Sequence, residues 1–139
     1  MLLHIIARGK IGRSPEAELV DRYLNRIVWP VKLTELSERA ATPPPSAVAL
    51  SILLDEKGDA LSSMQLAKKL DQWRDRGVRE ARFVIGAADG HSVEERLAAD
   101  LLISFGPATW PHLLVRAMLA EQLFRATSIL ANHPYHREG

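Results

Sequence analysis

One segment near the end of this 139-residue chain constrains its fold more than any other. Residues 113–131 carry apolar side chains in almost every direction around a helical axis, interrupted by the long polar side chains of Arg116, Glu121, Gln122 and Arg125. A helix that is apolar on nearly all sides has to be buried on more than one of them. Because an exposed apolar surface of this size is a liability in a small domain, the pattern predicts burial against a second copy of the chain.

A loop and a tail flank this predicted helix. The preceding Gly-Pro pair disfavours regular structure, Thr109 is a predicted N-cap, and Pro111 suits a first turn, where backbone N–H groups are unpaired anyway. We therefore expect the helix to begin near Trp110. Residues 132–139 follow it as a polar tail with the sequence Asn-His-Pro-Tyr-His-Arg-Glu-Gly.

The rest of the chain alternates strand-like and helix-like segments. Short apolar runs predict five strands, over residues 2–7, 31–36, 48–54, 82–86 and 101–105. Helical spacing and capping signals predict three further helices, from Ser14-Pro15 to before Pro30, from Ser62 to Gly77, and from Val93 to Ala99. This alternation predicts a single α/β domain over residues 1–139, with a mostly parallel sheet and helices on both faces.

Two connecting segments have compositions that disfavour regular structure. Residues 55–58 end in glycine and predict a turn directly after the third strand. Residues 37–46 contain three consecutive prolines, which fit neither a helix nor a central strand.

Composition excludes some classes of protein. The chain has no cysteine, so it has no disulfide framework, no cysteine-based zinc cluster and no thiol nucleophile. The apolar run at residues 2–7 is too short to span a membrane and lacks the features of a signal peptide. We therefore expect a cytoplasmic protein.

The formal net charge of +1 does not by itself suggest a nucleic-acid partner. A local basic face is still compatible with it, since the distribution of charge matters more than the sum. Five arginines are candidates for such a face: Arg8, Arg13, Arg116, Arg125 and Arg137. An even spread of solvated surface charges is the alternative.

Three segments follow predicted strands, where ligands of parallel sheets usually bind. They are Leu54 to Gly58, Gly86 to Gly90, and Phe105 to Trp110. Their glycines do not have the spacing of a phosphate loop, so simple turns and ligand contacts both remain open. In the tail, His133 and His136 resemble a metal pair, but the intervening Pro134 prevents a regular helix and no third ligand is evident. We expect no metal.

Three motifs carry a resemblance to a known family. They are Thr-Trp-Pro-His-Leu-Leu-Val-Arg at 109–116, Glu-Gln-Leu-Phe-Arg-Ala at 121–126, and Asn-His-Pro-Tyr-His-Arg-Glu at 132–138. They resemble the RlmH family, small SPOUT-class methyltransferases that act on a pseudouridine of large-subunit ribosomal RNA. The resemblance covers nearly the whole chain outside residues 37–47.

The resemblance implies S-adenosylmethionine as methyl donor and a deep trefoil knot over about residues 82–131. Its implied cofactor-binding residues are Leu54, Gly86, Ala87, Phe105, Gly106, Pro107, Ala108, Thr109 and Trp110. It also implies a homodimer in which the tail, residues 132–139, folds over the partner's cofactor, and the assembled 70S ribosome as substrate.

The tail and the helix before it supply the expected catalytic residues. His136 is a candidate for the base or the orienting group, and Tyr135 for packing against the target base. Arg125 and Arg137 are candidates for binding phosphate or uracil oxygens.

Two departures from the family pattern bear on function. Ala87 stands where the family usually has a second glycine, and residues 37–47 are shorter than the family's usual helical segment. They favour the alternative of a non-catalytic dimeric module that docks on the ribosome. A different α/β nucleotide-binding enzyme is disfavoured, because no phosphate loop is present.

Overall fold

The computed structural model describes residues 1–87 and 89–137. The elements follow the predicted order: β1 (Leu2–Arg8), α1 (Pro15–Leu24), β2 (Val31–Leu36), β3 (Ala49–Ala60), α2 (Ser63–Asp75), β4 (Glu80–Ile85), α3 (Val93–Ala98), β5 (Leu101–Ser104) and α4 (His112–Leu130). None of the helices in these residues is long and apolar enough to cross a membrane.

The five strands form one parallel sheet in the order β2-β1-β4-β3-β5. The α/β class and the parallel sheet predicted from the sequence are confirmed. The predicted helix starts are also confirmed where the signal is local. Ser62 with Gln65 and Ser92 with Glu95 form capping boxes, and Ser14 caps α1.

The main core lies between one face of the sheet and helices α1, α2 and α4. Alternate strand residues such as Ile5, Phe83 and Ile52 point into it and are fully buried. Helix α4 packs against both α1 and α2. Residues Leu119, Leu123 and others of α4 belong to the same core cluster. The predicted burial of this helix on more than one side is therefore confirmed, and elements of the same chain supply it, while burial against a second copy stays a prediction.

The opposite face of the sheet has a smaller apolar cluster, Ile6, Leu53 and Val84. Arg8 and Arg82 lie on this face, because they alternate along their strands with residues of the main core. Their guanidinium groups donate to backbone carbonyls of the proline-containing segment, Arg8 to Ser37 (3.1 Å) and Arg82 to Pro43 (2.5 Å). The two arginines thus fix the short 37–43 segment against the sheet.

Strand β3 is longer than predicted. The turn predicted at residues 55–58 is wrong, because β3 continues to Ala60 after a register shift between Leu54 and Asp59 and pairs with β5 there. Gly58 permits this pairing: a Cβ at that position would lie 2.6 Å from the backbone nitrogen of Ile103. Glycine is therefore used here for close backbone approach and not for a turn.

The start of α4 also differs from the prediction. The N-cap is Pro111 and the first helical residue is His112, so Thr109 is not the N-cap. The hydroxyl of Thr109 instead donates to Glu56 Oε2 at 2.8 Å, which ties the loop to the extended part of β3.

Arg116 and Arg8 cannot contribute to the basic face that the sequence suggested. Arg116 is 1% exposed and pairs with Glu35 at 2.5 Å. Arg8 is 9% exposed and bonded to the 37–42 segment. The polar residue that interrupts this apolar helix is here a buried guanidinium paired with a partly exposed carboxylate.

Candidate active site

A pocket of about 260 Å³ opens beside the carboxyl ends of β4 and β5 and the part of β3 where its register shifts. The three segments predicted to meet at this edge of the sheet all contribute to its wall. Eight of the nine expected cofactor-binding residues line it: Leu54, Gly86, Ala87, Phe105, Gly106, Ala108, Thr109 and Trp110. Pro107 lies in the same loop but is not part of the lining.

The loop after β4 turns tightly beside this pocket. The amide of Gly90 donates to the carbonyl of Ala87 at 2.8 Å, and a Cβ on Gly86 would approach the carbonyl carbon of Gly90 to 3.0 Å. Gly90 has φ +80°, whereas Asn132 is the one non-glycine residue with positive φ among those the structure describes. Ala87 therefore does not adopt the left-handed backbone that would favour glycine.

An ion pair between the buried carboxylate of Asp55 and the partly exposed Arg96, which the sequence did not reveal, borders the pocket. Asp55 Oδ2 lies 2.7 Å from Arg96 Nε, and Asp55 Oδ1 accepts from the Lys57 amide at 2.9 Å. Burial alone would raise the pKa of Asp55, but the Lys57 amide and the Arg96 guanidinium lower it below its ordinary value. The pair joins β3 to α3, so it fixes one wall of the pocket.

His91 is a second pocket residue that sequence analysis missed. Its ring is buried, and Nε2 lies 3.0 Å from the carbonyl oxygen of Leu54. This contact links the loop after β4 to β3. The only sequence signal was that His91 directly follows the segment Gly86 to Gly90, one of the three predicted to lie beyond strands.

The loop from Phe105 to Trp110 is closed by its own side chains. Trp110 Nε1 donates to the carbonyl of Phe105 at 3.2 Å, and Trp110 remains 43% exposed. Together with the bond between Thr109 and Glu56, this contact sets the rim of the pocket.

The tail folds back onto α4. Asn132, at φ 57°, ends the helix, and the His133 amide donates to the Ser128 carbonyl at 2.9 Å. The Tyr135 ring then packs on Phe124, with centroids 4.6 Å apart. An apolar contact thus anchors the tail as far as Tyr135.

Four polar side chains meet where the tail reaches α4. Glu121 Oε1 accepts from Arg125 Nη2 at 2.6 Å and from the Tyr135 hydroxyl at 3.0 Å. Arg125 lies over the Tyr135 ring at 4.7 Å, and its Nη1 is 3.1 Å from His136 Nδ1. We call these four residues, Glu121, Arg125, Tyr135 and His136, the tail cluster. Three of them were predicted as catalytic, and Glu121 was not.

The electrostatics of the tail cluster follow from these contacts. Burial and the carboxylate of Glu121 raise the pKa of Tyr135 to about 12, so its hydroxyl stays protonated at neutral pH. The hydrogen bond to Glu121 also raises the pKa of Arg125. The tail cluster thus holds a protonated phenol beside a fixed cation.

The structure does not bring the tail cluster to the pocket within one chain. None of Arg125, Tyr135, His136 and Arg137 lines the pocket. Arg137 is exposed, and Glu138 and Gly139 lie outside the described residues. Among the residues the structure describes, no group of three or more His, Cys, Asp or Glu side chains could hold a metal ion.

A family model described as "Predicted SPOUT methyltransferase" matches residues 1–136. The chain is 67% identical, over the full length of both proteins, to the ribosomal RNA large subunit methyltransferase H of Erythrobacter litoralis, and equally to that of Novosphingobium aromaticivorans. A relative of the same name from Rhodospirillum centenum is 44% identical over 154 aligned residues, with 99% of each chain covered.

A solved structure shares the fold. A probable methylase family protein from Haemophilus influenzae superposes with a TM-score of 0.57 over 98% of this chain and 70% of its own, at 11% sequence identity. At this identity the likeness concerns the fold alone.

Proposed function

This chain belongs to the SPOUT methyltransferases, among the relatives named ribosomal RNA large subunit methyltransferase H, and we propose that it methylates N3 of a pseudouridine in 23S ribosomal RNA. Full-length identity of 67% to proteins of that name is the observation that carries the proposal. We further infer that the protein acts in the cytoplasm on the assembled 70S ribosome.

The pocket fits S-adenosylmethionine as methyl donor. Leu54, Ile85 and Ile103 offer an apolar wall suited to a purine, and Glu56 and Asp89 place carboxylates at the lining, as suits a cationic ligand. When bound, the donor supplies an electrophilic methyl group on a sulfonium. The chain's part is to hold that group beside N3 and to exclude competing nucleophiles.

The acceptor nitrogen becomes nucleophilic only when its imide proton leaves. A guanidinium has donors but no acceptor, so the contact from Arg125 makes His136 Nδ1 an acceptor and puts the ring proton on Nε2. This arrangement favours His136 as an orienting donor, with solvent taking the imide proton. Tyr135 would pack against the base, and Arg125 and Arg137 would bind its oxygens or flanking phosphates.

We infer that the active enzyme is a homodimer with a shared site. Within one chain the tail cluster and the pocket are separate, so a partner's tail would complete each pocket. A groove of about 260 Å³ between α1 and α4 supports this arrangement, because apolar Leu19, Leu114 and Met118 line it beside Phe105 of the pocket and Glu121 of the tail cluster. We also propose that about residues 82–131 form the deep trefoil knot that the family resemblance implies.

Calorimetric titration with S-adenosylmethionine, with the solution mass measured on the same sample, tests the proposal first. We expect one donor molecule per protomer of a dimer, and then methylation of ribosomes that lack the modification. A folded dimer that binds no donor would instead support the docking module. The two departures from the family pattern do not favour that alternative, since Ala87 has no positive φ and relatives aligned over 140 and 141 residues are about as short as this chain.

A further inference from the structure

Glu121 is the one member of the tail cluster to which the proposed function assigns no role. It lies on α4, and its Oε1 atom receives three hydrogen bonds, from Arg125 Nε at 2.9 Å, from Arg125 Nη2 at 2.6 Å, and from the Tyr135 hydroxyl at 3.0 Å, while Oε2 accepts from Gln122 Nε2 at 2.9 Å. The side chain is 19% exposed, so these bonds are partly shielded from water. Charge-assisted bonds of this kind fix geometry as well as add energy.

Arg125 and Tyr135, which both donate hydrogen bonds to Glu121, also make the contacts that keep the tail against α4. Arg125 touches the tail twice, over the Tyr135 ring at 4.7 Å and at His136 Nδ1 at 3.1 Å. A guanidinium at the end of a long side chain has many rotamers, and two bonds to one carboxylate select the rotamer that makes both contacts. The position and the tautomer of His136 therefore depend on a residue 15 positions earlier.

We propose that Glu121 is the positioning residue of the active site. Through Arg125 it fixes His136 as the Nε2-protonated tautomer, and through the Tyr135 hydroxyl it orients the Tyr135 ring. Glu121 itself need not touch either substrate. This inference rests on the proposed function, because it assigns the ordered tail to methyl transfer.

The test compares Glu121→Gln with the wild-type dimer at saturating S-adenosylmethionine, using ribosomes that lack the modification. Glutamine keeps the size of the side chain but removes the charge that orients Arg125. We expect kcat to fall about 10²-fold, the effect typical of a misplaced reacting group. Glu121→Asp keeps the charge, but its shorter side chain cannot reach both Arg125 and the Tyr135 hydroxyl. Its kcat should therefore lie between those of Glu121→Gln and the wild type.

Asp71→Asn is the matched control. It removes the carboxylate of an exposed ion pair with Arg74 (2.9 Å) on α2, away from the tail cluster. We expect wild-type kcat from this variant. Loss of activity in Asp71→Asn equal to that in Glu121→Gln would overturn the inference.

Nitrogen NMR of 15N-histidine-labelled protein gives a readout that does not depend on activity. The wild-type His136 ring should show the signature of a neutral ring protonated at Nε2, and Glu121→Gln should show a mixture of tautomers. An unchanged His136 signature, or unchanged kcat, in Glu121→Gln would refute the role of Glu121. If the wild-type protein transfers no methyl group, the proposed function fails, while the spectra still decide the inference. Should Glu121→Gln not fold, Glu121→Asp serves in both measurements.

Discussion

Arg116 is the largest fully buried side chain in the described part of the chain. Besides its ion pair with Glu35, its Nη2 donates to the backbone carbonyls of Arg8 and Gly9, at 3.2 and 3.1 Å. These contacts join α4 to the end of β1 and to Glu35 on β2. The sequence shows only an arginine in an apolar helix, and its partner 81 positions earlier depends on the tertiary fold.

Glu35→Gln should destabilise the protein by roughly 2 kcal/mol at pH 7, because a buried guanidinium loses its charged acceptor. Burial alone would raise the pKa of Glu35, but the Ile11 amide and the Arg116 guanidinium lower it below its ordinary value of 4.5. The stabilisation is therefore complete above pH 4.5 and is lost as the pH falls through the lower folded-state pKa. Urea unfolding from pH 7 to pH 3 should show wild type and variant converging. A difference independent of pH would contradict this assignment.

Ala87→Gly tests whether the departure from the family's usual glycine pair matters. Because Ala87 has no positive φ, we expect the affinity for S-adenosylmethionine to change by less than about threefold. Calorimetry on both proteins measures it. Tenfold tighter binding by the variant would mean that the methyl group obstructs the donor.

The extension of β3 is the element that most affects the shape of the site. It carries Glu56, which bonds to Thr109 of the pocket loop, and it pairs with β5 along residues 59–60. The sequence around Gly58 reads as a turn, since the distant strand that it approaches is not visible locally. Capping boxes were predicted correctly because all their partners lie within four residues.

Gly58→Ala should destabilise the chain by about 3 kcal/mol, because the added methyl group would meet backbone atoms of β5 that cannot move aside cheaply. Urea unfolding measures the loss. Asp59→Ala is the control, since the neighbouring side chain is exposed and its removal should cost little. Equal stabilities of Gly58→Ala and wild type would show that β3 and β5 separate easily.

At the scale of the whole molecule, the sequence predicted the α/β fold and the three segments that form most of the pocket wall. Both follow from the period of apolar residues and from the edge at which parallel strands end. The role of Glu121 and the ion pair between Asp55 and Arg96 were missed, because long-range polar contacts leave no periodic signal. The separation of the tail cluster from the pocket could be seen only in three dimensions, and it is the main structural argument for a shared site.

A mixed dimer tests that shared site most directly. One protomer carries a pocket variant that calorimetry shows to have lost the donor, such as Ala108→Trp, and the other carries Arg125→Ala with His136→Ala. The two are co-expressed with different tags, purified through both, and assayed on ribosomes that lack the modification. Each parent dimer should be inactive, and the mixed dimer should recover roughly half the wild-type rate, because one of its two sites is complete. A mixed dimer as inactive as its parents, beside an active wild-type dimer carrying the same tags, would contradict the shared site.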